Sequence, residues 1–308
     1  MRQRIMAIVG AVGLVVVALV VRSMVTGGDG TQGTNSAKPV VACTRDLMPV
    51  CQALADDGKI AANPPTLELA DAATARVADR SLDGWITWDP APGIANLDAE
   101  AAGSIRPWGT SVPIGSSPLG IAALTGVTPT LPSGCSFSPA DWDCYARAAI
   151  DEQTPMGVGT GTTAESLARL YPLARSLVPP GGDFRDIESA DLKAIIDSTN
   201  IAQANFPTQA RTLVTQRGAL DVLVGPSAGL NAIKGARIAL PKRPADMFNA
   251  TVVIVGHADG DLDGIGSVID SGSTAQALRD SGVVPGTGRL APKTRSGELY
   301  AVRDKVSS

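Results

Sequence analysis

Residues 39–58, "PVVACTRDLMPVCQALADDG", hold a short apolar run, a polar break at Thr44, Arg45 and Asp46, and a helix-like stretch that stops at Gly58. A brief continuous apolar run bounded by turn signals is the pattern of a strand buried on both faces. Glycine just past a helical stretch is the usual stop, because the chain turns left-handed there. The same alternation continues. "PTLELADA" (65–72) reads as a second strand, "AATARVADRSL" (72–82) as a helix, and "DGWITWDP" (83–90) as a third strand, its apolar Trp85, Ile86 and Trp88 stopped by Pro90. The βαβαβ order is the unit of an open parallel sheet, so the fold class is α/β.

Further along, a Pro- and Gly-rich connection follows "SVPIGSSPLGIAALTG" (111–126), and in "SPADWDCYARAAI" (138–150) Ser138 is placed to cap a helix beginning at Pro139. The strand "MGVGTG" (156–161) and the helix "TAESLARLYPLARSL" (163–177) come next. Two helical stretches, 190–204 and 208–218, precede the strand "LDVLVGP" (220–226). The chain returns through "ARIALP" (236–241) and "NATVVIVGH" (249–257), and residues 266–288 read as two short helices, the second stopped by Gly282.

The chain has 308 residues, 44% of them hydrophobic, enough to bury a sizeable core. Its net charge of -4 comes without a basic stripe interleaved with aromatics, which removes the electrostatic footprint of a nucleic-acid binder. Arg2 and Arg4 precede an uncharged apolar run from Ile5 to Val21, long enough to be read as an uncleaved signal anchor over residues 1–25. Its positive end is expected in the cytoplasm, and the remainder outside, as a single-pass protein of the cell membrane. Residues 26–39, "TGGDGTQGTNSAKP", have the composition of a flexible spacer. Four cysteines permit three pairings, of which the local ones, Cys43 with Cys51 and Cys135 with Cys144, are the most economical. An oxidising compartment outside the membrane would let them form.

Three stretches carry a resemblance to a known family: "VPIGSSPLGIAAL" (112–124), "MGVGTGTTAESLARLYPLA" (156–174) and residues 249–288 from "NATVVIVGH" to "GVVPGTG". They look like the crossing segment that leaves a first lobe, the strand, threonine-rich turn and helix that open a second, and the return strand with its terminal helices. In this the chain resembles the type II periplasmic binding proteins, in the branch that includes substrate-binding domains of actinobacterial surface proteins. The resemblance implies a discontinuous first lobe, residues 40–112 and 246–300, and a second lobe of residues 113–245. It also implies a hinged cleft, a small-molecule solute, and a transporter or envelope protein as partner. The chain departs from the family at the "TRDL" turn (44–47), where small residues are common, and at "GVV" (282–284). An envelope interaction module on the same fold, having lost its small ligand, is the competing reading.

In open α/β lobes ligands collect at the carboxyl ends of strands. Those ends supply Thr44 and Arg45, then Thr87, Trp88 and Asp89, with Ser116 and Ser117 at the crossing. The second lobe supplies Thr160, Gly161, Thr162 and Thr163, then Pro226 and Ser227. The turn "GTGTT" (159–163) runs straight into a helix, a place that suits an anion or carboxylate, with Arg45 as a matching cation. Against that stands plain helix capping, Thr162 or Thr163 with Glu165 or Ser166. Trp85 and Trp88 lie three apart, hence on opposite faces of a strand, and Trp85 is expected in the core.

Residues 259–270, "DGDLDGIGSVID", set Asp259, Asp261, Asp263, Gly264 and Asp270 at the offsets of a calcium loop, although a strand and not a helix precedes it. Helix capping by Asp261 or Asp263 explains the same residues. No other cofactor is expected. Serines in "GSSPLG" and "GPSAGL" lack the nucleophile-elbow order and His257 is the single histidine, so no enzyme is expected. The sequence therefore reads as a membrane-anchored extracytoplasmic protein that takes a small polar or anionic solute between two lobes.

Overall fold

The computed structural model describes residues 38–79, 81–151, 154–199, 201–202, 204–243, 247–257, 272–286 and 296–307. The expected anchor, the spacer up to residue 37 and the aspartate loop at 259–270 lie outside these residues. No helix among the described residues is long and apolar enough to cross a membrane. Lys38–Ser308 forms one compact unit.

In chain order the elements are β1 (Val41–Cys43), α1 (Met48–Asp56), α2 (Ala75–Ala78), β2 (Gly84–Trp88), α3 (Ala91–Ala101), β3 (Trp108–Leu124) and α4 (Trp142–Ile150). There follow β4 (Met156–Gly157), α5 (Ala164–Ser176), α6 (Ser189–Asp197), α7 (Phe206–Thr215), β5 (Val222–Pro226), α8 (Ser227–Asn231) and β6 (Ala236–Ala239). The last are β7 (Asn249–His257), α9 (Gly272–Asp280), β8 (Val284–Pro285) and α10 (Ser296–Ser307). The strands form a sheet ordered β1-β2-β7-β3-β5-β4, with β6 and β8 also on β3. β1 pairs parallel to β2, β4 pairs parallel to β5, and β7 runs antiparallel to both β2 and β3.

β3 organises this arrangement. Up to Pro118 it pairs with β7, and from Leu119 it pairs with β5 and β6, so its 17 residues belong to two halves of a mixed α/β sheet. Its prolines sit where a strand tolerates them, Pro113 beside a register shift and Pro118 at the change of partner. The amide of Leu119 donates to the carbonyl of Phe248 at 2.7 Å, so the chain crosses between halves twice, side by side.

Both local cysteine pairs are disulfides. Gly58 and Gly282 terminate α1 and α9 with positive φ of 71° and 88°. Trp85 is fully buried, as expected, against Trp108 with centroids 5.3 Å apart.

Several expectations need correction. Residues 65–72 are not a strand beyond one bridge from Thr66 to Cys43. The indoles of Trp85 and Trp108 donate to the carbonyls of Leu67 and Ala72, at 3.2 and 3.0 Å, and the segment between turns into a 3-10 helix over Leu69–Asp71. Those carbonyls serve the tryptophans and not a ladder. The helix expected at 72–82 is only the single turn of α2. The helix expected from Pro139 begins at Trp142, because Ala140 is held extended by its amide's bond to Leu240, and Asp141 caps instead by accepting from Asp143. α6 stops at Asp197, and α7 begins two residues early behind the cap Asn205, which accepts from Thr208.

Three helices, α3, α8 and α10, were not foreseen. In α3 the early Pro92 and Gly93 look like breakers, yet proline is tolerated in a first turn, and Gly93 is needed because a Cβ there would come within 2.0 Å of the Ser296 hydroxyl. The first of the two terminal helices expected at 266–288 falls mainly on residues outside those described.

In the second half Phe206 belongs to a small cluster with Leu213, Leu220, Leu223 and Leu230, and its ring lies under two glycines. A Cβ added at Gly225 would stand 2.2 Å from Phe206 Cε2, and one at Gly229 2.7 Å from Cε1. Gly225→Ala should therefore lower stability by about 1–3 kcal/mol through overpacking, read as a fall in the urea midpoint at constant slope.

Candidate functional site

Sheet direction decides where a site can form. Trp88, at the carboxyl end of β2, is opposite Val252, three positions from the crossing at Asn249. Pro226, at the carboxyl end of β5, is opposite Leu119. The carboxyl edges of both halves thus converge on the crossing, and α5 of the second half packs on β2 and β7 of the first.

On the first edge, the amide of Thr44 donates to Ile86 O at 3.1 Å, which carries the parallel register one step on and sets Thr44 beside Thr87. Both side chains are buried, and neither Oγ1 has a hydrogen-bond partner among the described residues. An orphaned buried hydroxyl costs about 1–3 kcal/mol, so such a pair calls for an explanation. Alternation along β2 puts Thr87 on the face of Trp85 and Trp88 on the other. There the Trp88 indole donates to Asp46 Oδ2 at 2.5 Å. Burial, and secondarily the nearby Glu165, raise the pKa of Asp46 to about 7 against the opposing effect of the Trp88 bond. Asp89, half-buried at the end of β2, is raised to about 6 by burial. Arg45 turns away: its side chain is 84% exposed and its Nε lies 3.8 Å from Glu68.

On the second edge, Thr160 and Thr162 share a hydroxyl contact of 2.8 Å. Thr163 caps α5 with Ser166 in a reciprocal box, Ser166 N donating to Thr163 Oγ1 at 3.2 Å and Thr163 N to Ser166 Oγ at 3.1 Å. Gly159 and Gly161 hold positive φ in this turn, and the latter's neighbour across the gap is Leu170. At the crossing, Ser117 and Ser227 meet, Oγ to Oγ 3.1 Å, and Ala228 N donates to Ser117 Oγ. Ser116 is half-buried in β3, in register with Thr251 and Val284.

Glu165 and Arg169 complete the second edge. Arg169 is fully buried, donating to Val224 O, Gly157 O, Gln209 Oε1 and Glu165 Oε1. Burial draws its pKa down while Glu165 opposes that shift. Glu165 also accepts from Phe206 N at 2.9 Å. The carboxylate therefore neutralises Arg169 and is fixed at the start of α5, where its charge helps raise the pKa of Asp46.

The structure thus gathers Thr44, Thr87, Trp88 and Asp89 at one edge and the threonine turn, Ser117 and Ser227 at the other, and separates Arg45 from them. Asp46 and the charged role of Glu165 escaped sequence reasoning. Asp46 lies in the same turn as Arg45, and the Glu165–Arg169 spacing of four on a helix was a readable signal. Among the described residues no group of three or more His, Cys, Asp or Glu side chains could hold a metal ion, and the four loop aspartates lie outside them.

No protein-family model matches the chain, and no curated protein does. Solved structures do. Iron-bound HitA from Pseudomonas aeruginosa superposes with a TM-score of 0.55 at 10% identity, over 88% of this chain and 98% of that one. A periplasmic thiamin binding protein gives 0.53 at 11%, over 91% and 98%, and a Bordetella ferric binding protein 0.50 at 12%, over 87% and 96%. The chain shares the fold of these periplasmic binding proteins.

The two raised carboxyls make stability depend on pH. Between the ordinary aspartate value of 3.8 and about 7 the folded chain holds a proton on Asp46 that the unfolded chain releases. Stability contributed by this group is therefore full below the lower value and falls as pH rises through the window. Asp46→Asn keeps an acceptor for Trp88 and removes the titration. Its urea midpoint should exceed that of the natural protein by more at about pH 8 than at about pH 5.

Proposed function

We propose that this protein is a membrane-anchored, extracytoplasmic solute-binding protein of the type II periplasmic class and actinobacterial type, taking a small polar solute between the two halves of its sheet. The observation that carries the reading is the convergence of both carboxyl edges on the double crossing, with buried, unpartnered Thr44 and Thr87 hydroxyls on one face of the first edge and the Asp46–Trp88 pair on the other. The proteins that share the fold bind iron and thiamin, but the cargo of this chain is set by its own edge. Asp46 and Asp89 offer carboxyl acceptors, Glu165 is occupied by Arg169, and Arg45 points outward. A solute that donates hydrogen bonds or carries positive charge suits this edge better than an anion does.

Binding without catalysis fits the geometry. Ser117 and Ser227 stand at the crossing, whereas His257 is at the opposite end of β7, eight residues from Asn249. At roughly 3.3 Å per residue that is about 26 Å, too far for a serine and histidine to exchange a proton. Anchoring is supported by the apolar run from Ile5 to Val21 after Arg2 and Arg4, and an oxidising location by the two disulfides. A transporter would be the natural receiver of the solute.

Thermal denaturation of the full chain in detergent, scanned against amines, amino acids, sugars, metal cations and small organic acids, tests the reading. A polar or cationic solute at about a hundred times its Kd should add roughly 2.7 kcal/mol of stability and raise the midpoint, and Thr87→Val or Asp46→Asn should reduce that rise. No rise with any member, together with a single envelope protein recovered by crosslinking in membranes, would replace this reading with that of an interaction module.

A further inference from the structure

α10 is fastened to both halves of the molecule. The Arg303 guanidinium makes two charge-assisted bonds to Asp98 of α3, Nη1 to Oδ2 at 2.5 Å and Nη2 to Oδ1 at 2.6 Å. The side chains of Arg303 and Asp98 are only 16% and 26% exposed, so this paired fork is partly shielded from water. Nearer its start, Glu298 accepts from the Tyr171 hydroxyl of α5 at 2.5 Å. Leu299 and Val302 are fully buried. Ser296 lies against Gly93 of α3, and Val306 lies 3.4 Å from where a Cβ on Gly161 would stand.

The helices so joined are those whose first turns frame the crossing. α3 begins at Ala91, two residues after Asp89, and α5 begins at the threonine turn with Glu165 in its first turn. Any rotation of one half against the other moves α3 relative to α5. A rigid helix bonded to both must then release one. The packing is unequal: among the described residues α10 lies on α5, α6 and the 3-10 turn Phe184–Asp186 in the second half, and chiefly on α3 in the first. The weaker attachment is therefore the α3 side, where the bond to be broken is Arg303–Asp98.

We propose that α10 is a latch that rides with the second half and holds the closed arrangement through Arg303 and Asp98, so that release of this ion pair sets how readily the two halves part. The proposal rests on the reading of the two halves as a hinged solute receptor, and it places part of the control of opening on the side chains of a terminal helix outside the binding edge.

Hydrogen exchange of the full chain in detergent, without added solute, tests the latch. In Arg303→Gln, amides at both edges, residues 44–47, 87–89 and 159–166, should exchange about tenfold faster, while residues 222–225 in β5 remain unchanged as the internal reference. The double reversal Asp98→Arg with Arg303→Asp should restore slow exchange at the edges. Unchanged edges in Arg303→Gln would overturn the latch. So would a uniform rise that includes residues 222–225, or a double reversal that folds normally but exchanges as fast as the single variant. No solute enters the measurement, so its failure leaves the thermal-shift test standing; a protein that binds solute yet shows unaltered edges in Arg303→Gln loses the latch alone.

Discussion

The two strands that cross between the halves constrain the rest of the molecule. β3 and β7 run antiparallel past one another, and the bond from Leu119 N to Phe248 O lies where each changes company. With that crossing in place, β2 and β5 have their directions set by pairing against β7 and β3, and both must end beside it. The site is a consequence of strand direction before it is a matter of side chains. Thr44, Thr87, Asp46 and Glu165 acquire a common neighbourhood because the strands and helices that carry them terminate or begin at the same line.

Charge is the second constraint. A buried guanidinium is affordable only when its donors are matched, and Arg169 finds partners on β4, β5, α5 and α7. Its ring contact with Phe206, 5.3 Å to the centroid, adds a cation–π component. The same network spends Glu165 as its counter-ion and fixes that carboxylate at the edge of the second half. Facing it, Asp46 is partly desolvated and held by Trp88, and it resists ionising. An edge in which carboxyls approach one another favours protons, cations or hydrogen-bond donors, whereas in the threonine turn opposite Thr163 caps α5 and Thr160 and Thr162 bond to each other.

Much of the fold was legible because its signals are local. The apolar runs of β1, β2, β5 and β7 are short, continuous and flanked by turn residues, as strands buried on both faces must be. Gly58 and Gly282 mark helix ends through backbone conformation alone. The cap at Thr163 depends on a residue three positions away, and each disulfide closes a loop of under ten residues. The misread segments depended on distant partners. Residues 65–72 have strand-like composition, but their carbonyls are taken by tryptophans from β2 and β3. α3 holds a glycine that composition reads as a flaw, and only the approach of Ser296 across some two hundred residues accounts for it.

The sequence by itself determined the α/β alternation, the local covalent links, the helix stops and the types of residue available at strand ends, since each follows from neighbours within a few positions. Tertiary structure alone decided which strand ends meet, that Arg45 leaves the site for Glu68, that the charge of Glu165 reaches Asp46, and that α10 ties α3 to α5. The reason is physical. Periodicity and capping act over a turn or two of chain, while the pairing of edges, the desolvation of a carboxyl and the sharing of a buried charge arise only when segments far apart in sequence pack together.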